Sequence, residues 1–264
     1  MIDSGRCRLL RHAPESGAWN MAVDEMLLER AEEQATACLR FYRWSKPTLS
    51  LGYFQTYADR LEHPTSLTCA VVRRLTGGGA ILHDAELTYS IILPSTHPLA
   101  GRRDELYQSI HGCLIETFKR LGITARLCEK AGKSGASREP FLCFQRRSPG
   151  DVLIGRTKIC GSAQRRRNGV VLQHGSLLWR TSPAAPELPG VGDVVTHPIE
   201  LESVADLWLS GLSGRLGLSW HSDDLDETEV HRAEALVESR YAGQNWTKNR
   251  RTVVKKRFDA ADGF

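Results

Sequence analysis

The sequence of 264 residues predicts an α+β fold, because helix patterns and strand patterns both recur along it. Two apolar, strand-like runs flank three consecutive glycines between residues 71 and 94. A second pair of strand patterns meets at Asn168-Gly169, the strongest short signal for a β-hairpin. No internal repeat or clear linker divides the chain. We therefore expect a single domain over residues 1–250, a basic tail at 251–264 and no accessory domain.

Four segments place apolar residues at helical spacing. In the second of them acidic residues open the pattern and Gly122 follows its end, as expected of a helix that stops there. The fourth begins with Asp226 and Glu229, which can form a capping box. A short strand is expected at residues 123–128, and a proline-rich connection at residues 181–198. The predicted helices cover residues 19–27, 104–121, 201–216 and 226–241.

Composition indicates a compact intracellular enzyme, with 41% hydrophobic and 25% charged residues. No apolar run is long enough for a membrane span, and the N-terminus lacks the apolar core of a secretory signal, so we expect a cytoplasmic protein without a membrane partner. Seven cysteines without a CxxC pair argue against a disulfide framework and a metal site, and predict free thiols that are mostly buried. The net charge of +4 suits acidic protein partners and does not require nucleic acid.

The glycine-rich segment suggests a loop that holds a ligand. Gly77, Gly78 and Gly79 can adopt positive φ and leave a ligand free to approach the backbone. Arg73 and Arg74 should point to opposite faces of their strand, so at least one is expected to face whatever the loop holds. The alternative is an ordinary hairpin turn, which uses the same residue types.

The polar, basic segment at residues 129–150 has no sustained periodicity and is predicted to be a loop with room for function. It contains Cys143, and nearby cations favour the nucleophilic thiolate. The alternative is that Phe141, Leu142 and Phe144, together with the cysteine, are an apolar anchor that fixes the loop to the body. The basic neighbours of the cysteine in sequence are Lys130, Lys133, Arg138, Arg146 and Arg147.

Three segments resemble the catalytic domain of the biotin/lipoate protein ligases: FYRWSKPTLSLGYFQ, RRLTGGGAILHDAELTYS and GRTKICGSAQRRRNGVVLQHGSLLW. Their order matches the lipoate branch, with an Arg-Arg-x-Thr-Gly-Gly motif followed by Lys-Ile-x-Gly-Ser-Ala-Gln and Gln-His-Gly. The resemblance extends from WNMAVD at residues 19–24 to about Trp246. It implies a mixed β-sheet with surrounding helices, the class II synthetase-like fold of biotinyl/lipoyl protein ligases. The likeness is closest to single-domain octanoyltransferases.

The resemblance also implies roles for three residues. Octanoyltransferases of this kind place their acyl-accepting cysteine in a Cys-Phe segment before the Lys-Ile motif, which Cys143 matches. Lys158 matches the lysine that touches the activated acyl group in ligases and favours the thiolate of the catalytic cysteine in transferases. An outward-facing surface lysine is the alternative for Lys158. Cys160 is the rival nucleophile from geometry alone, although in mid-strand it cannot swing to meet a carrier.

Further residues are candidates for substrate binding within the same motifs. Gly161, Ser162 and Ala163 are small enough for an acyl chain or its carbonyl to pass close to backbone N–H groups, unless they serve tight hairpin packing. His83 and His174 each follow a strand and are candidates for a supporting role, since histidines in such places are more often hydrogen-bonded structural residues. Two basic runs, at residues 165–167 and 255–257, are either solvated surface or contacts for acidic carriers.

The reaction that the resemblance implies is octanoyl transfer in lipoate assembly. Octanoyl would move from octanoyl-acyl carrier protein to Cys143 as a thioester, and then to the lysine of a lipoyl domain or of glycine-cleavage H protein. Because the thioester is already activated, this reaction needs neither ATP nor a metal. The alternatives are an ATP- and Mg-dependent lipoate ligase acting through lipoyl-AMP, an octanoyl amidotransferase between lipoyl-domain proteins, and a non-catalytic carrier-binding member. Gly79, where such transferases often carry arginine, favours the ligase.

Overall fold

The computed structural model describes residues 5–130 and 139–251. Lys133, Arg138 and the predicted tail beyond Arg251 lie outside these ranges. The strands are β1 Arg6–Arg11, β2 Ala37–Tyr42, β3 Thr48–Leu51, β4 Ala70–Arg73, β5 Ile81–His83, β6 Glu86–Leu93, β7 Ala125–Leu127, β8 Val152–Ile154, β9 Thr157–Arg167, β10 Val170–Leu178 and β11 Ser219–Ser222. The helices are α1 Gly17–Gln34, α2 Arg103–Arg120, α3 Val191–Val194, α4 Leu201–Leu216, α5 Glu227–Leu236 and α6 Gln244–Asn249.

A mixed sheet forms the centre of the molecule. Its strand order is β11-β1-β2-β6-β10-β9-β8-β7. Strand β1 runs parallel to both β11 and β2, whereas the remaining neighbours are antiparallel. A second sheet has the order β4-β3-β5, with β4 parallel and β5 antiparallel to β3. The α+β prediction, with a mixed sheet and surrounding helices, is confirmed.

Helices cover both faces of the large sheet. Neighbouring strand residues alternate between the faces, so that Leu39 packs in one apolar cluster and Cys38 in the other. The first cluster includes Phe118 of α2 and Trp208 of α4. The second includes side chains of α1 and α5, such as Met26. Within the described ranges, no helix has the length and apolar content that crossing a membrane requires.

All four sequence-predicted helices form, and most of their ends lie within a residue or two of the predicted position. Helix α1 is the first exception, because it continues to Gln34 instead of ending near residue 27. The capping box at the start of α5 forms, with the backbone N–H of Glu229 donating to Asp226 Oδ1 at 2.8 Å. This helix differs from prediction at its other end, because α5 stops at Leu236 and a π-turn, Val237–Tyr241, follows it. The proline-rich connection at residues 181–198 contains the single-turn helix α3.

The two turn predictions have different outcomes. Asn168 and Gly169 both have positive φ, 50° and 82°, and join β9 to β10 as the predicted hairpin. The glycines at residues 77–79 do not form a hairpin, because β3 lies between β4 and β5. The glycine-rich segment therefore crosses from one edge of the small sheet to the other, and the ordinary hairpin alternative is wrong.

Candidate active site

A cleft of about 530 Å³ lies where the glycine-rich loop, the first turns of α2, the loop containing Cys143 and the start of β9 meet. Its volume falls in the range of small-molecule sites, roughly 300–1,000 Å³. The structure brings six of the sequence-predicted site residues to its lining: Gly77, Gly78, Cys143, Lys158, Ser162 and Ala163. The lining omits the other six: Arg73, Arg74, Gly79, His83, Gly161 and His174.

Cys143 is held beside the glycine-rich loop by backbone hydrogen bonds. Ala80 N donates to Phe141 O at 3.1 Å, and Cys143 N donates to Ala80 O at 2.7 Å. Phe141, Leu142 and Phe144 are buried, whereas Cys143 is half-buried. The flanking residues are therefore the apolar anchor that the sequence suggested, and they leave the thiol itself at the cleft. All seven cysteines are free, and Cys69 is the other half-buried one, which confirms the prediction of mostly buried thiols.

Lys158 faces this thiol from the start of β9. Its Nζ lies 3.7 Å from Cys143 Sγ, 3.2 Å from Cys143 O and 2.9 Å from Asp151 Oδ2. The residue is only 5% exposed, so the alternative of an outward-facing surface lysine is wrong. Burial on its own would lower the pKa of Lys158, but the charges of Cys143 and Asp151 outweigh it and raise the pKa above the ordinary value. The side chain is therefore an ammonium at neutral pH.

Asp151 is one of the site residues that the sequence did not predict, as are Tyr107 and His111 of α2. Its buried carboxylate pairs with Lys158, and its Oδ2 also accepts from Ser148 N at 2.7 Å. The available signal was a carboxylate directly after Pro149-Gly150, at the end of a basic loop. A buried lysine needs a counter-charge, and Asp151 is an acid within reach of it across the short β8–β9 turn.

Gly161 leaves room for this ion pair. A Cβ at that position would lie 2.6 Å from Lys158 Cε and 3.1 Å from Asp151 Oδ1. The missing side chain thus makes space for the two charged groups behind the cleft wall. Cys160, the rival nucleophile, is fully buried, and burial is the main cause that raises the pKa of its thiol. A protonated, inaccessible thiol is a poor nucleophile.

Ser162 is oriented by a buried histidine of α2. His111 Nδ1 lies 2.6 Å from Gly150 O, which can only accept, so we assign the proton to Nδ1. The Nε2 atom then accepts from the Ser162 hydroxyl at 2.9 Å. Burial lowers the pKa of His111, which keeps the ring neutral and this arrangement intact. The helix also contributes Tyr107, whose hydroxyl donates to Ser162 O at 3.2 Å.

Arg74 fixes the glycine-rich loop from within. Its guanidinium donates to Gly77 O and Gly79 O, each at 2.7 Å, and to Ser50 O at 2.9 Å. Burial lowers the pKa of Arg74 to about 10, so it stays cationic at neutral pH. Arg74 does face the loop, as predicted for at least one of the two arginines, but through the loop carbonyls rather than from the cleft wall. Of the three glycines only Gly78 has positive φ, at 93°.

Arg73 extends away from the loop. It donates to Gly52 O at 2.9 Å, to Gln55 O at 2.7 Å and to Thr247 O at 2.7 Å. These carbonyls come from the segment after β3 and from α6, which Arg73 joins together. In this structure its contacts are with backbone and not with the cleft.

His174 contacts the buried side of the glycine-rich loop through Thr76. Its Nδ1 lies 3.0 Å from Asp24 Oδ2, and its Nε2 lies 2.6 Å from Thr76 Oγ1. The same hydroxyl accepts from Arg74 Nε at 3.1 Å, so Asp24, His174 and Thr76 form a buried chain that leads to the glycines.

His83 belongs to a different buried group. Its Nδ1 lies 2.6 Å from Glu86 Oε1, and its ring stacks on Trp44 with centroids 3.9 Å apart. Both histidines are hydrogen-bonded residues behind the cleft. Across the described part of the chain, no three His, Cys, Asp or Glu side chains converge in a way that could hold a metal ion.

Comparison with known proteins supports the family resemblance that the sequence motifs suggested. Residues 16–187 match the lipoyl protein ligase A/B catalytic domain. The octanoyltransferase LipM of Brevibacillus brevis is 32% identical over 268 residues, which cover 89% of this chain and 96% of that protein. The octanoyltransferase LipM of Kyrpidia tusciae is 31% identical, over 90% of this chain and 97% of that protein.

Solved structures share the fold. A lipoate-protein ligase A bound with ATP aligns with a TM-score of 0.73 at 23% identity, over 92% of this chain and 98% of that one. The bipartite lipoate protein ligase of Thermoplasma acidophilum, described together with its E2 lipoyl domain, aligns with a TM-score of 0.70 at 22% identity, over 96% and 98% of the two chains. The chain therefore belongs to the lipoyl protein ligase A/B catalytic domain family, within which it is an acyltransferase.

Proposed function

We propose that the protein transfers an octanoyl group from octanoyl-acyl carrier protein to Cys143, as a thioester, and then to the lysine amine of a lipoyl domain or of glycine-cleavage H protein. The observation that carries this proposal is the half-buried Cys143 thiol, 3.7 Å from the Lys158 ammonium at the cleft. The similarity to proteins named octanoyltransferase supports the octanoyl group as cargo. The proposed location is the cytoplasm.

In the first step the Cys143 thiolate attacks the carbonyl carbon of the incoming thioester. A new carbon–sulfur bond forms and the bond to the carrier sulfur breaks. The carrier leaves as a thiolate that takes up a proton from solvent, which also receives the proton that Cys143 loses on ionisation. Lys158 stabilises the thiolate before attack, because its ammonium lies beside the sulfur and Asp151 keeps it charged and in place. Burial strengthens these interactions, since water is largely excluded from the ion pair.

In the second step the neutral lysine amine of the acceptor attacks the Cys143 thioester. The amide bond forms, the bond to Cys143 sulfur breaks, and the amine releases a proton to solvent. Cys143 leaves as a thiolate beside Lys158, so the same ammonium stabilises the leaving group that it stabilised as a nucleophile. Both steps begin from a thioester, and we propose that neither requires a nucleotide or a metal.

The proposal is tested by intact-mass measurement of the purified protein incubated with octanoyl-acyl carrier protein and no nucleotide. The expected result is an octanoyl adduct that hydroxylamine removes and that disappears on adding a lipoyl domain or H protein. The absence of an adduct, with acceptor modification that depends on ATP and free octanoate or lipoate, contradicts the proposal and identifies a ligase.

The ligase is the second candidate, and one observation favours it. Octanoyltransferases of this type often carry arginine where this chain has Gly79, and a side chain there would be tightly packed, because its Cβ would lie 3.1 Å from Phe141 O and from the Arg146 guanidinium. The same mass measurement tests the amidotransferase, with octanoylated H protein as the donor. A non-catalytic member would bind the carrier and give no adduct with any donor.

A further inference from the structure

An exposed aromatic ring stands at the edge of the cleft. Phe54, in the segment after β3, is 74% exposed, far more than the rings of the core. The backbone N–H of Tyr53, the preceding residue, donates to Thr76 O at 2.8 Å. This hydrogen bond joins the segment to the glycine-rich loop. A Cβ at Gly77, which lines the cleft, would lie 3.7 Å from the Phe54 ring. Phe54 is thus an apolar surface group next to the opening through which an acyl chain must pass.

Basic residues lie near this ring. Phe54 lines a surface hollow of about 400 Å³ together with Lys248, Arg250 and Arg251, all of them exposed. On the side towards β9, the guanidinium of Arg165 lies 5.6 Å from the centre of the Tyr53 ring. We name these five residues the basic rim: Phe54, Arg165, Lys248, Arg250 and Arg251.

The cations of the basic rim are available to a partner. Among residues 5–130 and 139–251, no ion pair joins any of its four cations to a carboxylate. Three of them instead lie over aromatic rings: Lys248 over Tyr57 at 5.4 Å, and Arg250 and Arg165 over Tyr53. Such contacts hold the side chains in place and leave their charge unneutralised.

We propose that the basic rim docks the acyl donor, an acidic carrier protein that bears its acyl chain on a phosphodiester-linked arm. This inference rests on the proposed function. The donor brings anionic side chains and an anionic phosphodiester, both complementary to the four cations, and Phe54 offers an apolar contact in the hollow that three of these cations line. The phosphodiester is joined to the acyl chain only on the donor, so it lies close to the cleft when the chain is bound. Charge complementarity with this anionic arm therefore assigns the rim to the donor.

Charges at such a rim act mainly on the rate of encounter. Exposed charges steer an oppositely charged partner over a distance of about 8–10 Å at ordinary ionic strength, and salt screens the effect. Losing rim charges should therefore raise the KM for the carrier-bound donor while leaving the rate at saturation unchanged. A donor without a carrier protein or a phosphate should be unaffected.

The test compares two double variants of equal charge change. Lys248→Glu/Arg251→Glu alters the rim and leaves Arg250, which has positive φ, in place. Lys119→Glu/Arg120→Glu alters two exposed cations at the C-terminal end of α2. At a rise of about 1.5 Å per residue, they lie roughly 17 Å or more along the axis from Gln108, the last residue of this helix that lines the cleft. Each protein is assayed for binding of the holo-carrier protein, which bears a free thiol and no acyl chain. Single-turnover acylation is then measured with octanoyl-carrier protein and with octanoyl-N-acetylcysteamine.

The rim variant should bind the holo-carrier about tenfold more weakly, with a flatter dependence on salt, and should raise the KM for the carrier-bound donor similarly. The control variant should match the wild type, and octanoyl-N-acetylcysteamine should acylate all three proteins equally. Phe54→Ala, at an exposed position, should weaken carrier binding without changing the salt dependence. Melting curves establish that each variant is folded.

Unchanged carrier binding by the rim variant overturns the proposal, as does a wild-type protein that binds no carrier. Weaker binding of a lipoyl domain with unchanged carrier binding assigns the rim to the acceptor and also overturns it. Failure of both donors to acylate Cys143 in the wild type contradicts the proposed function, but the holo-carrier measurement still decides the role of the rim.

Discussion

The Nζ of Lys158 lies 2.9 Å from Asp151 Oδ2, and both side chains are almost completely buried. The same ammonium contacts the Cys143 thiol, so one cation is shared between a permanent carboxylate and a sulfur that becomes charged in the reaction. Asp151 contacts no reacting atom in this structure. We infer that it is a positioning residue that acts through Lys158.

Asp151→Asn should slow acylation of Cys143 roughly tenfold, because the Lys158 ammonium loses the carboxylate that holds it beside the thiol. The pKa of Lys158 should fall as well, because one of the two charges that oppose burial is removed. The amide keeps an oxygen that can accept from Ser148 N. The measurement is the pH profile of Cys143 alkylation by iodoacetamide. Asp206→Asn, which breaks an exposed pair with Arg11, is the control, and a wild-type profile for Asp151→Asn would falsify the role.

Cys143→Ser should abolish the octanoyl adduct and acyl transfer while the melting temperature changes little. The thiol is half-buried and the substitution hardly changes volume, so the packing of Phe141 and Phe144 is retained. Intact mass and a melting curve on one preparation give both results. Cys69→Ser, at the other half-buried thiol, should behave as wild type. Normal turnover by Cys143→Ser would reduce Cys143 to an anchor and make Cys160 the next suspect.

Lys158→Ala should lose both activity and stability. The thiolate loses its cation, so alkylation of Cys143 should need a higher pH. The Asp151 carboxylate, 8% exposed, is left without its partner, and breaking a buried pair costs about 3–5 kcal/mol in the free energy of unfolding. The double variant Lys158→Ala/Asp151→Asn should recover much of the stability and none of the activity. An unchanged alkylation profile for Lys158→Ala would mean that the lysine acts elsewhere, for instance on the acyl carbonyl.

Gly78→Val should lose activity on octanoyl substrates far more than it loses stability. Gly78 has φ of 93° and is exposed at the cleft, and a Cβ there would lie 3.1 Å from Arg74 Nη2. We expect a shorter acyl chain to recover part of the activity. Gly155→Val is the control for backbone strain, because Gly155 also has positive φ and nothing lies within 4 Å of its Cβ position. Full activity of Gly78→Val would contradict the assignment of this loop to the acyl site, and loss of activity in step with stability would favour a purely structural loop.

Acid should destabilise the fold below about pH 6.5, the ordinary pKa of histidine. Burial is the main cause that lowers the pKa of His111 and His174, and it lowers that of His12 to about 4. Between the ordinary and lowered values the unfolded chain binds protons that the folded chain does not, so the free energy of unfolding falls as the pH falls. Above about pH 6.5 the histidines are neutral in both states, and the free energy of unfolding no longer depends on their protonation. Urea unfolding at several pH values measures this free energy.

His174→Gln should flatten that pH dependence, because glutamine does not titrate. If the free energy of unfolding depends on pH with the same slope in the wild type and in His174→Gln, the buried His174 does not contribute to the acid destabilisation.

Local signals in the sequence were sufficient for α2, α4 and the hairpin. Helix α2 was expected at residues 104–121 and is found at Arg103–Arg120, since its apolar stripe, acidic start and following glycine all lie within one segment. The hairpin between β9 and β10 rests on two adjacent residues that adopt positive φ. For Cys143 and Lys158 the motif resemblance supplied what local pattern could not, and the structure brings their side chains together.

The rest depends on contacts between distant segments. The carbonyls that Arg74 binds were not predictable, because they come from a loop whose path depends on β3 lying between β4 and β5. The partner of His174 is Asp24, 150 positions away, and no periodicity links the two. Asp151 was missed for another reason. The turn before β8 and the shift in register between β8 and β9 bring Asp151 to Lys158. Neither of these two features has a sequence signal as strong as the Asn168-Gly169 pair.

Arg73 is synthesised long before its partners near the C-terminal end of the described chain, so the cleft cannot be completed early in translation. The guanidinium of Arg73 donates to Thr247 O, and Trp246 Nε1 donates back to Arg73 O at 2.9 Å, so two segments about 174 positions apart stabilise each other. While residues 246 and 247 are still inside the ribosomal exit tunnel, the Arg73 guanidinium lacks the Thr247 carbonyl that accepts two of its hydrogen bonds. Arg73 lies close in sequence to the loop that contains Gly77 and Gly78. The cleft should therefore be among the last parts of a nascent molecule to mature, and messages cut short before these codons should yield chains that chaperones retain and proteases remove.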